Sequence, residues 1–248
     1  MSDYEAINRS LQKNLKIQIM TKKKLVILTG AGISAESGIQ TFRGSDGLWE
    51  GHDIMEVASP EGFEKNPELV LDFYNQRRRQ LKTVKPNAAH IGLKALEEDF
   101  DVTIITQNVD DLHERGKSTN ILHLHGLLTQ ARSTFDPELI TDIGYKDINW
   151  GDMCSKNSQL RPHIVWFGEE VPAIFEAVPI CKRADIFAVI GTSMIVYPAA
   201  SLINYVPIRS PKFIIDPNIP DLDYNITCIP EKATVGIEVL QRKLKDLR

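Results

Sequence analysis

The chain is predicted to be an α/β protein: a doubly wound parallel sheet with helices on both faces and a smaller inserted module. Three observations predict this. Short, uniformly apolar runs end in polar, glycine or proline residues; segments of helical spacing lie between them; and two stretches carry neither pattern. After a polar leader, residues 1–20, Lys22-Lys23-Lys24 introduces Leu25-Val26-Ile27-Leu28, closed by Thr29-Gly30. An apolar run without alternation suits a strand buried on both faces, the usual situation in a parallel sheet. Runs at 102–105, 121–124, 186–190 and 213–215 repeat the pattern, giving five predicted strands. Apolar residues at helical spacing predict helices over 67–81, through Leu69, Val70, Phe73, Tyr74 and Leu81, over 88–96, and over 235–247, through Val239, Leu240 and Leu244. The stretches at about 45–85 and 127–162 hold Gly, Asp, Asn and Pro without a buried-strand pattern and are assigned to the smaller module. The large domain then comprises about 21–44, 86–126 and 163–248 of a single unit at 21–248.

Composition narrows the possible partners. With 248 residues, 42% hydrophobic and 25% charged, the chain is long enough to bury a full core, which excludes a disordered, collagenous or disulfide-stapled protein. A net charge of −4 gives no electrostatic footprint for a phosphate backbone, so nucleic acid is not expected as a partner. Cys154, Cys181 and Cys228 are odd in number and form no Cys-x-x-Cys pair, as expected of free thiols in a reducing compartment, hence the cytoplasm. No apolar run reaches the roughly 18 residues a membrane helix needs, and the first residues lack a signal-peptide core. No membrane partner is expected.

Three clusters carry chemistry. Gly30-Ala31-Gly32-Ile33-Ser34-Ala35 fits G-x-G-x-x-A directly after a strand, with a helix predicted from Ser34; such a loop lets backbone approach a pyrophosphate at a helix N-terminus. A hydride-transferring enzyme should show a ribose-binding acid about 20 residues later. Here Thr41-Phe42-Arg43-Gly44 and a Gly- and Asp-rich loop follow instead, so an ordinary dehydrogenase fits poorly. The second cluster, Thr106-Gln107-Asn108-Val109-Asp110-Asp111-Leu112-His113, stands at the C-terminal end of a strand, where open α/β sheets bind ligands. The third, His123-Leu124-His125-Gly126, ends the next strand; alternation puts both imidazoles on one face, and one of them is a general-base candidate beside the amide–carboxylate cluster.

The strings GAGISAESGIQTFRG, TQNVDDLH, HLHG, RPHIVWFGE and GTSMIVYPAA occur in the order found in sirtuins, the NAD-dependent protein lysine deacylases, and the chain resembles that family over nearly everything after the leader. The resemblance implies a Rossmann-like sheet, the NAD-binding fold shared with deoxyhypusine synthase, and NAD consumed as co-substrate between the large domain and the small module. It implies attack of an acyl-lysine carbonyl oxygen on the nicotinamide ribose, with His125 as general base for the ribose hydroxyl. Nicotinamide, 2′-O-acyl-ADP-ribose and free lysine would be the products. An amide is a poor nucleophile, so such a site must hold the oxygen near the reacting carbon and exclude water.

Carried onto this sequence, the resemblance assigns Gly30, Ala31, Gly32, Ala35, Glu36, Thr41, Phe42, Arg43 and Trp49 to the pyrophosphate and nicotinamide ribose. Gln107, Asn108 and Asp110 continue that wall, with Asn108 orienting the ribose and a water and Asp110 in the nicotinamide pocket; an N-cap role for Asp110 is compatible with this. Gly191, Thr192 and Ser193 are assigned to the adenosine ribose, and Asp216, Pro217, Asn218 and Ala233 to the adenine end, where Asp216 replaces an Asn common in relatives. Val165, Phe167, Gly168 and Glu169 are assigned to the segment that pairs with substrate backbone and lines the acyl-lysine tunnel; an ordinary core strand would explain the apolar residues but not Gly-Glu. Tyr74 and Arg77, at i and i+3, resemble the Tyr-x-x-Arg signature of class III members, which bind the distal carboxylate of succinyl- or malonyl-lysine, and Ala58 matches a small residue that widens the pocket. Arg78 and Arg79 are expected on a solvated face.

Most relatives hold a structural zinc with two Cys-x-x-Cys pairs. At the matching places this chain has Ala131-Arg132-Ser133-Thr134 and Cys154-Ser155-Lys156-Asn157, and one thiol, even joined by His163, falls short of four ligands. No metal is expected, and the module is expected to pack through Leu127, Leu128, Phe135, Leu139, Ile143, Tyr145, Ile148 and Trp150. The implied partners are acylated lysine side chains of proteins or peptides, met by a monomer. Protein ADP-ribosylation is the alternative within the enzyme class, and a non-catalytic NAD or ADP-ribose sensor the alternative outside it; His125 and Asn108 together argue against the sensor.

Overall fold

The computed structural model describes residues 22–40, 48–49, 51–192, 197–219 and 225–248. Its strands are β1 (Lys24–Thr29), β2 (Leu48–Trp49), β3 (His52–Asp53), β4 (Asp101–Thr106), β5 (Ile121–His123), β6 (Gly126–Ser133), β7 (Ile140–Asp142), β8 (Leu160–Ile164), β9 (Ile186–Ile190), β10 (Lys212–Ile215) and β11 (Thr227–Ile229). Among the described residues, six of them form one sheet in the order β11–β10–β9–β1–β4–β5, with every neighbouring pair parallel. The five predicted apolar runs are β1, β4, β5, β9 and β10. The sixth strand, β11, is a three-residue edge that carries no apolar run.

Period-two alternation divides these strands between two cores. Leu25, Ile27, Ile104, Ile186 and Ile190 meet Leu93 of the helix Ala88–Leu96 and Ile237 and Leu240 of the helix Ala233–Leu244 on one face. Val26, Leu28, Phe187 and Val189 meet Ala177 and Cys181 of the helix Ile174–Lys182 and Leu202 of the 3₁₀ helix Ala199–Tyr205 on the other. The last helix starts two residues before its predicted bound and tightens to a 3₁₀ turn at Lys245–Leu247. Because β4 and β5 lie on one side of β1 and β9 and β10 on the other, the chain reverses its progress between β1 and β9. That switch point opens a crevice at the C-terminal ends of the strands.

The second layer holds the antiparallel sheet β7–β6–β8 and the helices Ile54–Val57, Pro60–Lys65 and Pro67–Leu81. Local chemistry sets these helix starts: Ser59 and Asn66 accept the amides of Gly62 and Leu69, and Pro60 and Pro67 occupy first-turn positions where no amide is needed. Leu128, Ile148, Ala131 and Leu71 are buried here, with Tyr145 and Ile143 packed against them. Of the other expected core residues, Leu127 and Leu139 are half-buried outside these clusters, and two are exposed. Phe135 is 74% exposed and Trp150 58% exposed, because each sits on a tight turn, held by the Ser133 hydroxyl in one case and preceding Gly151 at φ +97° in the other.

Arg78 corrects the expectation in the opposite sense. It is fully buried, donating to the Lys146 carbonyl at 3.0 Å and to the Asn75 side-chain oxygen, while Asn75 bonds the amide and carbonyl of Ile148 at 2.9 Å each. Burial lowers its guanidinium to about 10, still charged at neutral pH. Arg79 is exposed as expected, paired with Asp147.

Candidate active site

The C-terminal ends of β10, β9, β1, β4 and β5 deliver, in spatial order, Asp216, Gly191, Gly30, Gln107 and the segment leading to His125. At about 4.8 Å per strand this row spans about 19 Å. Together with the 165–169 segment and the helix Pro67–Leu81 it encloses a cleft of 1020 Å³. Gly30, Ala31, Gly32, Ala35, Glu36, Trp49, Ala58, Tyr74, Arg77, Gln107, Asn108, Asp110, His125, Val165, Phe167, Gly168, Glu169, Gly191, Thr192, Asp216, Pro217, Asn218 and Ala233 all line it. Thr41, Phe42, Arg43 and Ser193 lie outside the described residues.

Glycine loops from two strands lock together at the switch point. The Gly32 amide donates to Gly191 O at 2.8 Å, and a Cβ on Gly32 would lie 2.6 Å from Gly191 Cα. A Cβ on Gly30 would lie 2.6 Å from the Thr192 Cβ. These glycines are required first by each other's backbone, before any ligand is considered. The helix that follows begins at Gly32, earlier than predicted, and spans only Gly32–Ala35. Glu36 accepts from the amide and hydroxyl of Thr234 at 3.2 and 2.8 Å, tying this loop to the start of the helix Ala233–Leu244. Asp216 accepts the Asn218 amide at 2.8 Å, a turn that shapes the far end of the cleft.

Asn108 is held at three points: its amide donates to Thr106 Oγ1 at 3.0 Å, its side chain to Ser34 Oγ at 3.1 Å, and its carbonyl meets His123 Nδ1 at 3.1 Å. Ser34 in turn donates to Asp110 at 2.9 Å. Burial raises the Asp110 carboxyl to about 6, although the Leu112 amide and Ser34 hydroxyl both favour its anion. Asp110 accepts the Leu112 amide with one oxygen and the Ser34 hydroxyl with the other, whereas the N-cap position of the short helix Leu112–Arg115 belongs to Asp111 rather than Asp110. Ser34 was not singled out in the sequence, although it stands inside the glycine motif.

The two histidines separate. His123 places Nε2 2.6 Å from Glu114; burial opposes its charged form, but the Glu114 hydrogen bond and charge raise its pKa overall. His125 places Nδ1 3.0 Å from the Gln107 carbonyl, which fixes the proton on Nδ1 and leaves Nε2 as the basic nitrogen. Burial lowers its pKa, so the imidazole is neutral at physiological pH. Gly126 makes the turn behind it at φ +82°, where a Cβ would lie 1.9 Å from the His163 carbonyl oxygen.

The far wall is aromatic. Tyr74 is fully buried, its phenol pushed well above the ordinary range by burial, and it accepts the Trp166 indole N–H at 3.0 Å. Arg77 lies over the Phe73 ring at 3.7 Å and donates to the Phe73 carbonyl at 2.7 Å. Residues 165–169 continue past the end of β8 without strand pairing. Their course is fixed by Val165 donating to His125 O, Phe167 donating to Ala58 O, and Glu169 receiving Arg132, Arg161 and the Trp166 amide. Near the places matched to zinc cysteines, Cys154 donates to Ser133 Oγ at 3.3 Å and Thr134 bonds Ser158 at 2.6 Å. Among the described residues no group of three or more His, Cys, Asp or Glu stands close enough to hold a metal ion, and no helix is long and apolar enough to cross a membrane.

A parallel sheet whose switch-point crevice joins paired glycine loops, a buried Asn–Ser–Asp network and a neutral histidine defines a nucleotide-dependent α/β enzyme site. Comparison with known proteins narrows the class. The Sir2 family model matches residues 30–198, and the chain belongs to that family. It is 56% identical over 227 residues to a Helicobacter pylori (strain ATCC 700392 / 26695) protein named NAD-dependent protein deacylase, covering 91% of this chain and 99% of that one. A Bacteroides thetaiotaomicron protein of the same name is 48% identical over 229 residues, covering 90% and 98%. Among solved structures, a Sir2 homologue in complex with NAD superimposes with a TM-score of 0.81 at 40% identity, covering 95% of this chain and 94% of that one. A Sir2–p53 peptide–NAD⁺ complex superimposes at 0.72 with 29% identity, covering 95% and 98%.

Proposed function

We propose that the chain is an NAD-dependent protein lysine deacylase that prefers succinyl- and malonyl-lysine to acetyl-lysine and yields nicotinamide, 2′-O-acyl-ADP-ribose and the deacylated lysine. The observation that carries this reading is that Tyr74 and Arg77 line the same cleft as His125 and the glycine loops, so an acyl chain reaching past the histidine meets a phenol and a guanidinium. The cleft's size and its row of strand ends fit a dinucleotide, with Asp216, Asn218 and Ala233 at the adenine end and Asn108 and Asp110 at the other. NAD, when bound, supplies an electrophilic ribose carbon with nicotinamide as leaving group.

The protein's residues hold, screen and move protons around that carbon. Asn108, fixed by Thr106, Ser34 and His123, orients the ribose; Asp110 meets the nicotinamide amide; His125 Nε2 takes the proton of the ribose hydroxyl once nicotinamide has left. The aromatic wall of Trp49, Phe73, Tyr74 and Trp166 excludes water from the reacting centre. Arg77 offers a permanent charge to a carboxylate that loses hydration on entry, and the neutral Tyr74 hydroxyl adds a donor. The small module is read as holding its shape through Arg78, Asn75 and the Ser133–Cys154 contact rather than through zinc. The substrates are read as acylated lysines of cytoplasmic proteins, met by a monomer.

Arg77→Met tests the acyl preference. Truncating one member of a buried charge pair costs about 2–5 kcal/mol, and the half-buried position of Arg77 favours the lower end. The expected result is about a 30-fold loss of kcat/KM for a succinyl-lysine peptide and a much smaller loss for its acetyl form. Equal losses on both withdraw the preference.

A further inference from the structure

We propose that Trp166 is a specificity-determining positioning residue: its indole N–H holds the Tyr74 hydroxyl in the orientation that donates into the cleft, so acidic acyl groups are recognised through Trp166 as well as through Tyr74 and Arg77. The inference rests on the acyl-group reading above and assigns a role that the sequence did not suggest.

The geometry supports it from both ends. A phenolic hydroxyl has a single proton and rotates to suit its partners. Trp166 Nε1, 3.0 Å from Tyr74 Oη, can only donate, so it occupies a lone pair of that oxygen and turns the hydroxyl proton away from itself. Burial holds the phenol neutral, so the proton is present to be given. Packing alone would be served by any large aromatic ring at 166; the indole adds a donor aimed at the one polar atom of a fully buried side chain.

Trp166 is itself immobilised. The Arg161 guanidinium lies 3.3 Å from the centre of the indole, the Tyr74 ring is stacked at 6.4 Å and 30°, and Phe63 packs at 5.2 Å. The Trp166 amide donates to Glu169 at 2.8 Å, and the same carboxylate accepts Arg161 at 2.6 and 3.0 Å and Arg132 at 3.0 Å. Arg161 Nε is buried with no hydrogen-bond partner among the described residues, so its plane is set by the ring and the carboxylate at the expense of one donor. A ring held by a stacked cation, two aromatic neighbours and its own backbone cannot swing its N–H off Tyr74. Arg161 lies on β8 and Arg132 on β6, so the small module's sheet is what aims the hydroxyl.

The test is a double-variant cycle on Trp166→Phe and Tyr74→Phe, read as the ratio of kcat/KM for succinyl- and acetyl-lysine forms of one peptide with NAD. Trp166→Phe is expected to lower that ratio about fivefold, the size of one neutral hydrogen bond. Tyr74→Phe should lower it at least as much, and the double variant no further than Tyr74→Phe alone. Equal loss on both substrates in Trp166→Phe, or losses in ratio that multiply in the double variant, overturns the inference. Should Trp166→Phe fail to fold, Arg161→Lys keeps a cation for Glu169 but removes the stacked plane; a lowered ratio supports the inference and an unchanged ratio overturns it. A wild type with no preference for the succinyl peptide withdraws the acyl-group reading and this inference together. A wild-type preference whose size is unchanged in Trp166→Phe withdraws this inference alone.

Discussion

Gly32→Ala is the smallest change that tests how the cleft is built. The new methyl carbon would lie 2.6, 2.8 and 3.0 Å from Cα, O and C of Gly191, against an ordinary carbon contact of about 3.5–4 Å. All three are backbone atoms, so no side-chain rotation relieves the overlap. The loops must part by about 1 Å, which stretches the Gly32 amide to Gly191 carbonyl bond beyond hydrogen-bonding range from its present 2.8 Å. One lost hydrogen bond, about 1 kcal/mol, added to an overpacking strain of about 1–3 kcal/mol, gives roughly 2–4 kcal/mol of destabilisation. For a chain of this size that is a fall of roughly 5 to 15 °C in Tm. Because the parted loops carry Gly30, Gly32, Gly191 and Thr192, NAD affinity measured by calorimetry should fall with it. A variant with a melting temperature within about 2 °C of wild type and unaltered NAD affinity would refute the claim that these loops are locked by contact.

Three further outcomes are expected. His125→Ala should abolish deacylation while calorimetry still detects NAD, since the imidazole moves a proton rather than holding the dinucleotide; near-normal turnover would remove its role as base. Arg78→Met should lower stability by about 3 kcal/mol in urea titration, because it removes two charge-assisted hydrogen bonds, leaving the Lys146 carbonyl without this donor and the Asn75 oxygen with the Ile148 amide alone; a loss under about 0.5 kcal/mol would make this contact incidental. Stability should also fall as pH drops from 6.5 towards 4, as followed by thermal scans. His90 is held neutral by burial with its pKa lowered to about 4, so the unfolded chain binds the proton first, a difference of about 3 kcal/mol when complete. His113 and His163 act in the same direction, whereas Asp110, raised to about 6, takes up its proton in the folded state and opposes them. Asp110→Asn should therefore steepen the acid loss; a shallower loss would contradict the assigned burial of that carboxyl.

The large sheet was legible because doubly buried strands must be apolar throughout, and five such runs stand out between loops. β11 carries no apolar run, and its Cys228 is exposed, so nothing in the sequence marks it. The residues of the cleft were legible through the family resemblance, and the strand order explains why loops so distant in sequence converge. The small module was read less well, since hydrophobicity alone placed Phe135 and Trp150 inside and Arg78 outside. For Arg78 the signal was present: with Leu71, Tyr74 and Asn75 it follows i, i+3, i+4, i+7 on the helix Pro67–Leu81, which is its buried face. For Phe135 and Trp150 the turns decide, and turn geometry outweighs side-chain preference where the chain must reverse within two or three residues.

The central claim is that this cleft uses NAD to remove acidic acyl groups from lysine. The measurement that bears on it most directly is mass spectrometry of a succinyl-lysine peptide incubated with the protein and NAD. The account predicts a peptide lighter by its succinyl group, with nicotinamide and 2′-O-succinyl-ADP-ribose formed one for one. A peptide that gains the mass of ADP-ribose, or one that keeps its succinyl group while the acetyl form is turned over, would contradict it.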